Sequence, residues 1–183
     1  PVSALLHAVA VVKAGVFTVV KVIVYIFGVD LLSKTAEAGW LIYVAGATIL
    51  IASLIALRQD NLKRRLAYST VSQLSYVVIA AAILAPLSVM GAVLHIAAHA
   101  FGKITLFFAA GSIYTAAHKT EVRQLDGIGR AMPWTMTAFA IGAISMIGLP
   151  PAAGFLSKWY MLLGALEVEQ WFAVGVIVGS TLL

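Results

Sequence analysis

The sequence predicts an all-α fold, a polytopic bundle of helices crossing a lipid bilayer. Three observations lead there. The chain of 183 residues is 62% hydrophobic and 10% charged, a balance outside that of ordinary soluble domains. Its apolar residues gather into runs close to the roughly 20 residues that span a membrane as a helix. Short loops between those runs hold most of the charge. The chain contains no cysteine, which excludes disulfides and thiolate metal sites.

The apolar runs fall at residues 2–27, 39–57, 66–84, 87–115 and 133–166, with a sixth beginning at Trp171. Residues 1–183 are therefore expected to form one stretch of a single transmembrane domain, with about five or six spanning helices. The sequence opens at Pro1 without an initiator Met and stops at Leu183 inside an apolar run. It is expected to be a piece of a larger polytopic protein. The run at 133–166 contains GLPPAAGF at 148–155. Two prolines remove backbone donors and crowd the preceding turn, so a broken helix is predicted there. At membrane depth such a break persists where it is buried in protein or lines a wet cavity, and in secondary transporters it commonly marks an ion or substrate site. A plain proline kink is the simpler alternative.

Charge location is more informative than its total. The formal net charge is +5, which by itself suggests a basic surface for nucleic acid or acidic lipid. The loops nearly cancel, however, and most of the excess sits on Lys13, Lys21, Lys103 and Lys158, all inside apolar runs. No nucleic-acid partner is expected. The basic loops at 58–65 and 118–130 alternate with acidic or neutral connections near residues 30, 86 and 168. By the positive-inside tendency, the basic loops and the N-terminal end face the cytoplasm.

A charge at mid-bilayer costs about 2.5–3.5 kcal/mol on insertion scales, so intramembrane lysines are functional candidates by default. A lysine near a helix end can instead extend its stem to the interface, and Lys21 fits that description. Lys103 lies more than three turns from either end of its run, beyond such reach. Lys13 is similarly central, and Lys158 sits one turn past the proline pair. His95, His99 and Lys103 recur every fourth residue in HIAAHAFGK, which stacks them along one helix face. His at i and i+4 suits zinc, but no Asp or Glu lies in any spanning run to complete a ligand set. No metal site is expected.

The remaining reading is a proton path. Imidazole accepts a proton on one nitrogen while donating from the other. Desolvation and neighbouring charge tune how tightly a lysine holds its proton, and close cations titrate as a coupled set. His7 is a further candidate, although six residues from Lys13 it shares that face only on a distorted helix. Ser69, Ser72, Gln73 and Tyr76 form a polar stripe at i, i+3, i+4 and i+7. Such a stripe either ties helices together or lines a water-filled half-channel. A Schiff-base photoreceptor would want an intramembrane carboxylate as counter-ion, and none is present. A structural subunit whose lysines bind lipid headgroups is the other rival.

These residues lie within stretches that resemble a known family over nearly the whole chain: PVSALLHAVAVVKAGVF (1–17), DNLKRRLAYSTVSQLSYV (60–77), HIAAHAFGKITLFFAAGSI (95–113), and LDGIGRAMPWT running to GLPPAAGFLSKWYML (125–162). The sequence is similar to the proton-conducting antiporter-like subunits shared by respiratory complex I, an NADH:quinone oxidoreductase, and the Mrp-type multisubunit sodium/proton antiporters. The first and third stretches look closest to the D-type subunits of the Mrp antiporters. The resemblance implies a proton-translocating subunit of a monovalent cation (Na+)/proton antiporter, or alternatively a proton-pumping subunit of complex I. It implies other membrane subunits as partners and a place in a bacterial inner membrane. Lys103 matches the lysine at the centre of the family's proton channel, with His95 and His99 on the same helix. Lys13 matches the lysine that links the inner half-channel to that centre, His7 a place where some members have histidine, and Lys158 the terminal lysine. The family also pairs an intramembrane glutamate with a lysine upstream of the matched region, and this chain has no membrane carboxylate. No nucleotide, flavin, haem or iron–sulfur motif is present, so no cofactor is expected and any electron transfer would occur in partner subunits.

Overall fold

The computed structural model describes residues 10–35 and 39–181. His7, one of the proton-relay candidates, lies outside the described residues. The described chain is helical and contains no β-strand. Helix α1, Val11–Lys21, runs through a π-helical stretch at Val22–Gly28 into α2, Val29–Thr35. Helices α3, Gly39–Arg58, and α4, Leu62–Ala82, follow, and α5, Pro86–Ala117, is the longest at 32 residues. A 3₁₀ turn at Val122–Leu125 and the short α6, Ile128–Ala131, lead to α7, Pro133–Ile147. Helix α8, Ala153–Glu167, and α9, Trp171–Thr181, complete the described chain.

Local chemistry explains most of these boundaries. Asn61 caps α4, its side-chain oxygen accepting from the Arg64 N–H at 3.1 Å, and so satisfies one of the donors a helix start leaves free. Proline occupies the first turn of both α5 and α7, where its missing N–H costs nothing. Trp40, Trp134 and Trp171 sit at the starts of α3, α7 and α9 and are all exposed. Indole at helix ends is the pattern of a membrane–water interface.

Helix α5 is the centre of the packing. It lies against α4 on one side and against α7 and α8 on the other, while α3 and α1 cover α4 and α9 bridges α3 and α8. Small residues permit the α5–α8 contact: a Cβ on Gly91 would stand 2.7 Å from the Met161 backbone nitrogen. Within this bundle Ile49, Tyr76, Val77, Ile79, Ala92 and Met161 form part of an almost solvent-free core.

Three spans are long and apolar enough to cross a bilayer on length and composition alone: Val11–Lys34, Gly39–Arg58 and Pro86–Ala117. The predicted run at 66–84 forms α4, which begins at Leu62 and carries Lys63, Arg64 and Arg65 in its opening turns. Of its polar stripe, Ser72 and Tyr76 are buried and Ser69 and Gln73 half-buried. The run at 133–166 is divided as expected, into α7 and α8, with residues 148–152 between them.

The two basic loops are clipped together. Asn61 and Glu121 form an antiparallel bridge; Leu62 N–H donates to the Thr120 carbonyl at 2.9 Å and Val122 N–H to the Asp60 carbonyl at 2.8 Å. Arg123 pairs with Asp60 at 3.4 Å. The basic ends of α3, α4 and α5 thus share one side of the bundle, as the charge alternation requires.

Candidate functional site

The predicted ladder is formed. His95, His99 and Lys103 all point into the bundle, each no more than 1% exposed, and the two imidazoles stack with centroids 6.0 Å apart. Both nitrogens of His99 and Nε2 of His95 have no hydrogen-bond partner among the described residues. Buried polar atoms are almost always paired, with protein or with ordered water. Three such nitrogens lie close together on α5 without a protein partner among the described residues.

The second contribution comes from the helix break. Helix α7 ends at Gly148, which adopts a left-handed conformation (φ +88°) and donates its N–H to the Ile144 carbonyl at 3.1 Å. That is the usual role of a glycine closing a helix. The last carbonyls of a helix lack intrahelical partners and carry its negative end. Lys158 uses them: its Nζ donates to the Met146 and Ile147 carbonyls, each at 3.1 Å. The ammonium also lies 5.0 Å from the centre of the Tyr76 ring, a cation–π distance. Gly154 makes this fold-back sterically feasible, because any Cβ there would collide with the Ser145 carbonyl.

Lys103 is held differently. Its Nζ donates to the Leu66 carbonyl on α4 at 3.0 Å, an oxygen that also accepts from the Thr70 hydroxyl at 2.8 Å. Lys103 also borders a cavity of about 310 Å³ whose wall includes Ser53, Arg65, Ser69, Ser72 and Gln73. Arg65 closes the end of α3, donating to the Ala56 carbonyl at 3.1 Å and the Leu57 carbonyl at 2.9 Å. The polar stripe of α4 therefore divides its duties. Ser72 ties helices together through Ser53 Oγ at 2.8 Å and the Ile49 carbonyl at 3.2 Å, while Ser69 and Gln73 face the cavity. Tyr76 is fully buried, hydrogen-bonds Ser180 on α9 and lies tilted against His95, with ring centroids 5.9 Å apart.

Lys13 reaches the same centre from α1. It is 6% exposed, and its Nζ has no hydrogen-bond partner among the described residues. Lys13 and Lys158 both lie within electrostatic range of His95, and Lys13, His95 and Lys103 within range of His99. Around the histidine pair, Lys13 and Lys158 thus approach from flanking helices, and Lys103 lies one turn beyond His99 on α5. Lys21 stays outside: it is exposed, with its ammonium 5.6 Å from the Phe17 ring.

A family model described as NADH:quinone oxidoreductase/Mrp antiporter, transmembrane region, matches residues 1–183. The chain belongs to this family. Among relatives of this antiporter-like family, NADH-quinone oxidoreductase subunit N of Desulforudis audaxviator is 46% identical over 145 residues, covering 79% of this chain and 28% of that protein. A probable K+/H+ antiporter A/B-type subunit of Rhizobium meliloti is 37% identical over 170 residues, covering 92% of this chain and 16% of the relative. One chain of the membrane-bound sulfane sulfur reductase, an archaeal respiratory membrane complex, superposes with a TM-score of 0.89 at 28% identity, over all of this chain and 37% of its own length. The chain thus spans less than a third of the length of these two curated relatives. As a member of this antiporter-like family it is a membrane-embedded chain.

Several parts of the antiporter-like site carry no sequence signal of their own. Main-chain carbonyls of Leu66, Met146 and Ile147 are the lysine partners, and a sequence does not show where carbonyls become free. Ser157 was also missed, although a small polar residue beside Lys158 on a broken helix is a signal that could have been used. It is fully buried and sits 2.9 Å from His95 Nδ1.

Proposed function

We propose that this chain is the proton-conducting part of a membrane subunit in a multisubunit monovalent cation (Na+)/proton antiporter. The observation that carries the reading is a set of five buried ionisable side chains, Lys13, His95, His99, Lys103 and Lys158, gathered from three helices. Lys103 and Lys158 are held by backbone carbonyls, Lys158 also by an aromatic face, and Lys13 Nζ has no hydrogen-bond partner among the described residues. Fixed carboxylates would lock such ammonium groups in the charged state; carbonyls and water leave both protonation states accessible.

In this reading a proton arriving from Lys13 enters the stacked imidazoles, whose unpartnered nitrogens accept it. Mutual repulsion among the five groups makes uptake at one favour release at another. Lys103, bordering the cavity, and Lys158, anchored at the helix break, are the two destinations. Na+ is the exchanged cation, and the partners are the other membrane subunits of the same complex in a bacterial inner membrane.

A second reading, redox-driven pumping within an NADH:quinone oxidoreductase, is favoured by the 46% identity to subunit N of such an enzyme. The complete complex in proteoliposomes separates the two. A Na+ gradient should drive opposing proton movement that disappears in Lys103→Ala. Proton movement driven only by NADH and quinone would assign the second reading, and none under either condition would overturn both.

A further inference from the structure

Ser157 has a feature that the proton path leaves unused. Its hydroxyl carries one hydrogen, and that hydrogen is directed to the Gly154 carbonyl at 3.0 Å. The same oxygen lies 2.9 Å from His95 Nδ1. With its only hydrogen committed, Oγ acts there as an acceptor, so Nδ1 is the nitrogen that carries a hydrogen on the neutral ring. Nε2 then holds a lone pair, and it has no hydrogen-bond partner among the described residues. Ser157 and His95 are both no more than 1% exposed, so bulk water does not compete for these contacts.

We propose that Ser157 is a positioning residue that holds His95 as its Nδ1–H tautomer, so that His95 takes up and returns its transported proton at Nε2. The proton binds the Nε2 lone pair, the ring becomes imidazolium, and Nδ1–H remains on Ser157 Oγ throughout. The Gln73 backbone also interacts with the ring, and its carbonyl is an acceptor for the hydrogen that protonation adds. Because Gly154 opens the first turn of α8 beyond the break, the arrangement also ties the tautomer to the position of that helix end. Ser157 and Lys158 are consecutive, so one helix turn fixes both the terminal lysine and the direction of the neighbouring histidine. The inference rests on the proton-path reading above.

The test uses the complete complex with ¹⁵N-labelled histidine, assigning His95 by comparison with His95→Gln. The neutral wild-type ring should show a protonated Nδ1 and an unprotonated Nε2. In Ser157→Ala that preference should be lost and proton translocation should fall roughly tenfold, a fraction of what a positioned proton-transfer group contributes. Ser157→Thr, which keeps the hydroxyl, should restore both wherever the complex assembles. An Nε2–H tautomer in the wild type, or an unchanged tautomer in Ser157→Ala, would overturn the proposal. Lys103→Ala measured alongside separates the two levels: if it retains full translocation, the proton path itself is wrong, whatever Ser157 does.

Discussion

Lys103 and Lys158 are buried to nearly the same degree, yet the surrounding chain holds them in opposite ways. Lys158 sits at a helix end, where two carbonyls are free by construction and the helix dipole favours a cation. Lys103 lies against a continuous helix and shares one carbonyl with Thr70, with a cavity on its open side. The difference teaches that a membrane can carry a lysine without a carboxylate in two manners. A broken helix makes a tight anchorage, and an intact helix beside a cavity makes a loose one. In a proton path the tight site is suited to retention and the loose site to exchange.

The comparison breaks most completely if the helix end is destroyed. Gly154→Val would drive a branched side chain into the Ser145 carbonyl and push α7 and α8 apart. Overpacking of this kind costs about 3 kcal/mol or more, and the expected result is failure of the complex to assemble, read by size-exclusion chromatography of solubilised membranes.

A smaller effect separates the two lysines themselves. Lys158→Met removes the donor from one buried and one part-buried carbonyl, at about 1–3 kcal/mol for a buried group left unsatisfied. Lys103→Met leaves the Leu66 carbonyl with the Thr70 hydroxyl and should cost less. Thermal melting of the detergent-solubilised complex should therefore fall further for Lys158→Met; equal shifts would erase the distinction.

Weaker still is Thr70→Val, which removes the Thr70 hydroxyl from the Leu66 carbonyl and leaves Lys103 as its side-chain donor. Loss of one neutral hydrogen bond predicts a change of about 1 kcal/mol in the same melting measurement. Smallest is Asp60→Asn at the loop clip, an exposed ion pair with Arg123. It is expected to change stability by less than about 1 kcal/mol and to remove what salt sensitivity the clip has.

Much of this arrangement was legible in the sequence. The four-residue spacing of His95, His99 and Lys103 placed them on one face because helix geometry is a local property. The proline pair at 150–151 announced the break for the same reason, and charge alternation put the loops at 58–65 and 118–130 on one side, where they meet. What was not legible is tertiary. Lys158 reads in the sequence as the end of the path, but its neighbourhood with His95 and Tyr76 depends on how α8 packs against α5 and α4. Ser157 reads as an ordinary helix serine until its hydroxyl is seen between His95 and Gly154. Lys13 and Lys21, two lysines on one helix, were separable by depth alone, and the structure buries the first and exposes the second.

Lys103 and Lys21 supply the most direct test of the central claim. Proton translocation by the complete complex in proteoliposomes should be abolished by Lys103→Ala and unaffected by Lys21→Ala, since both remove one membrane lysine and only one removes a member of the buried axis. Full translocation in Lys103→Ala, or equal loss in the two variants, would contradict the account.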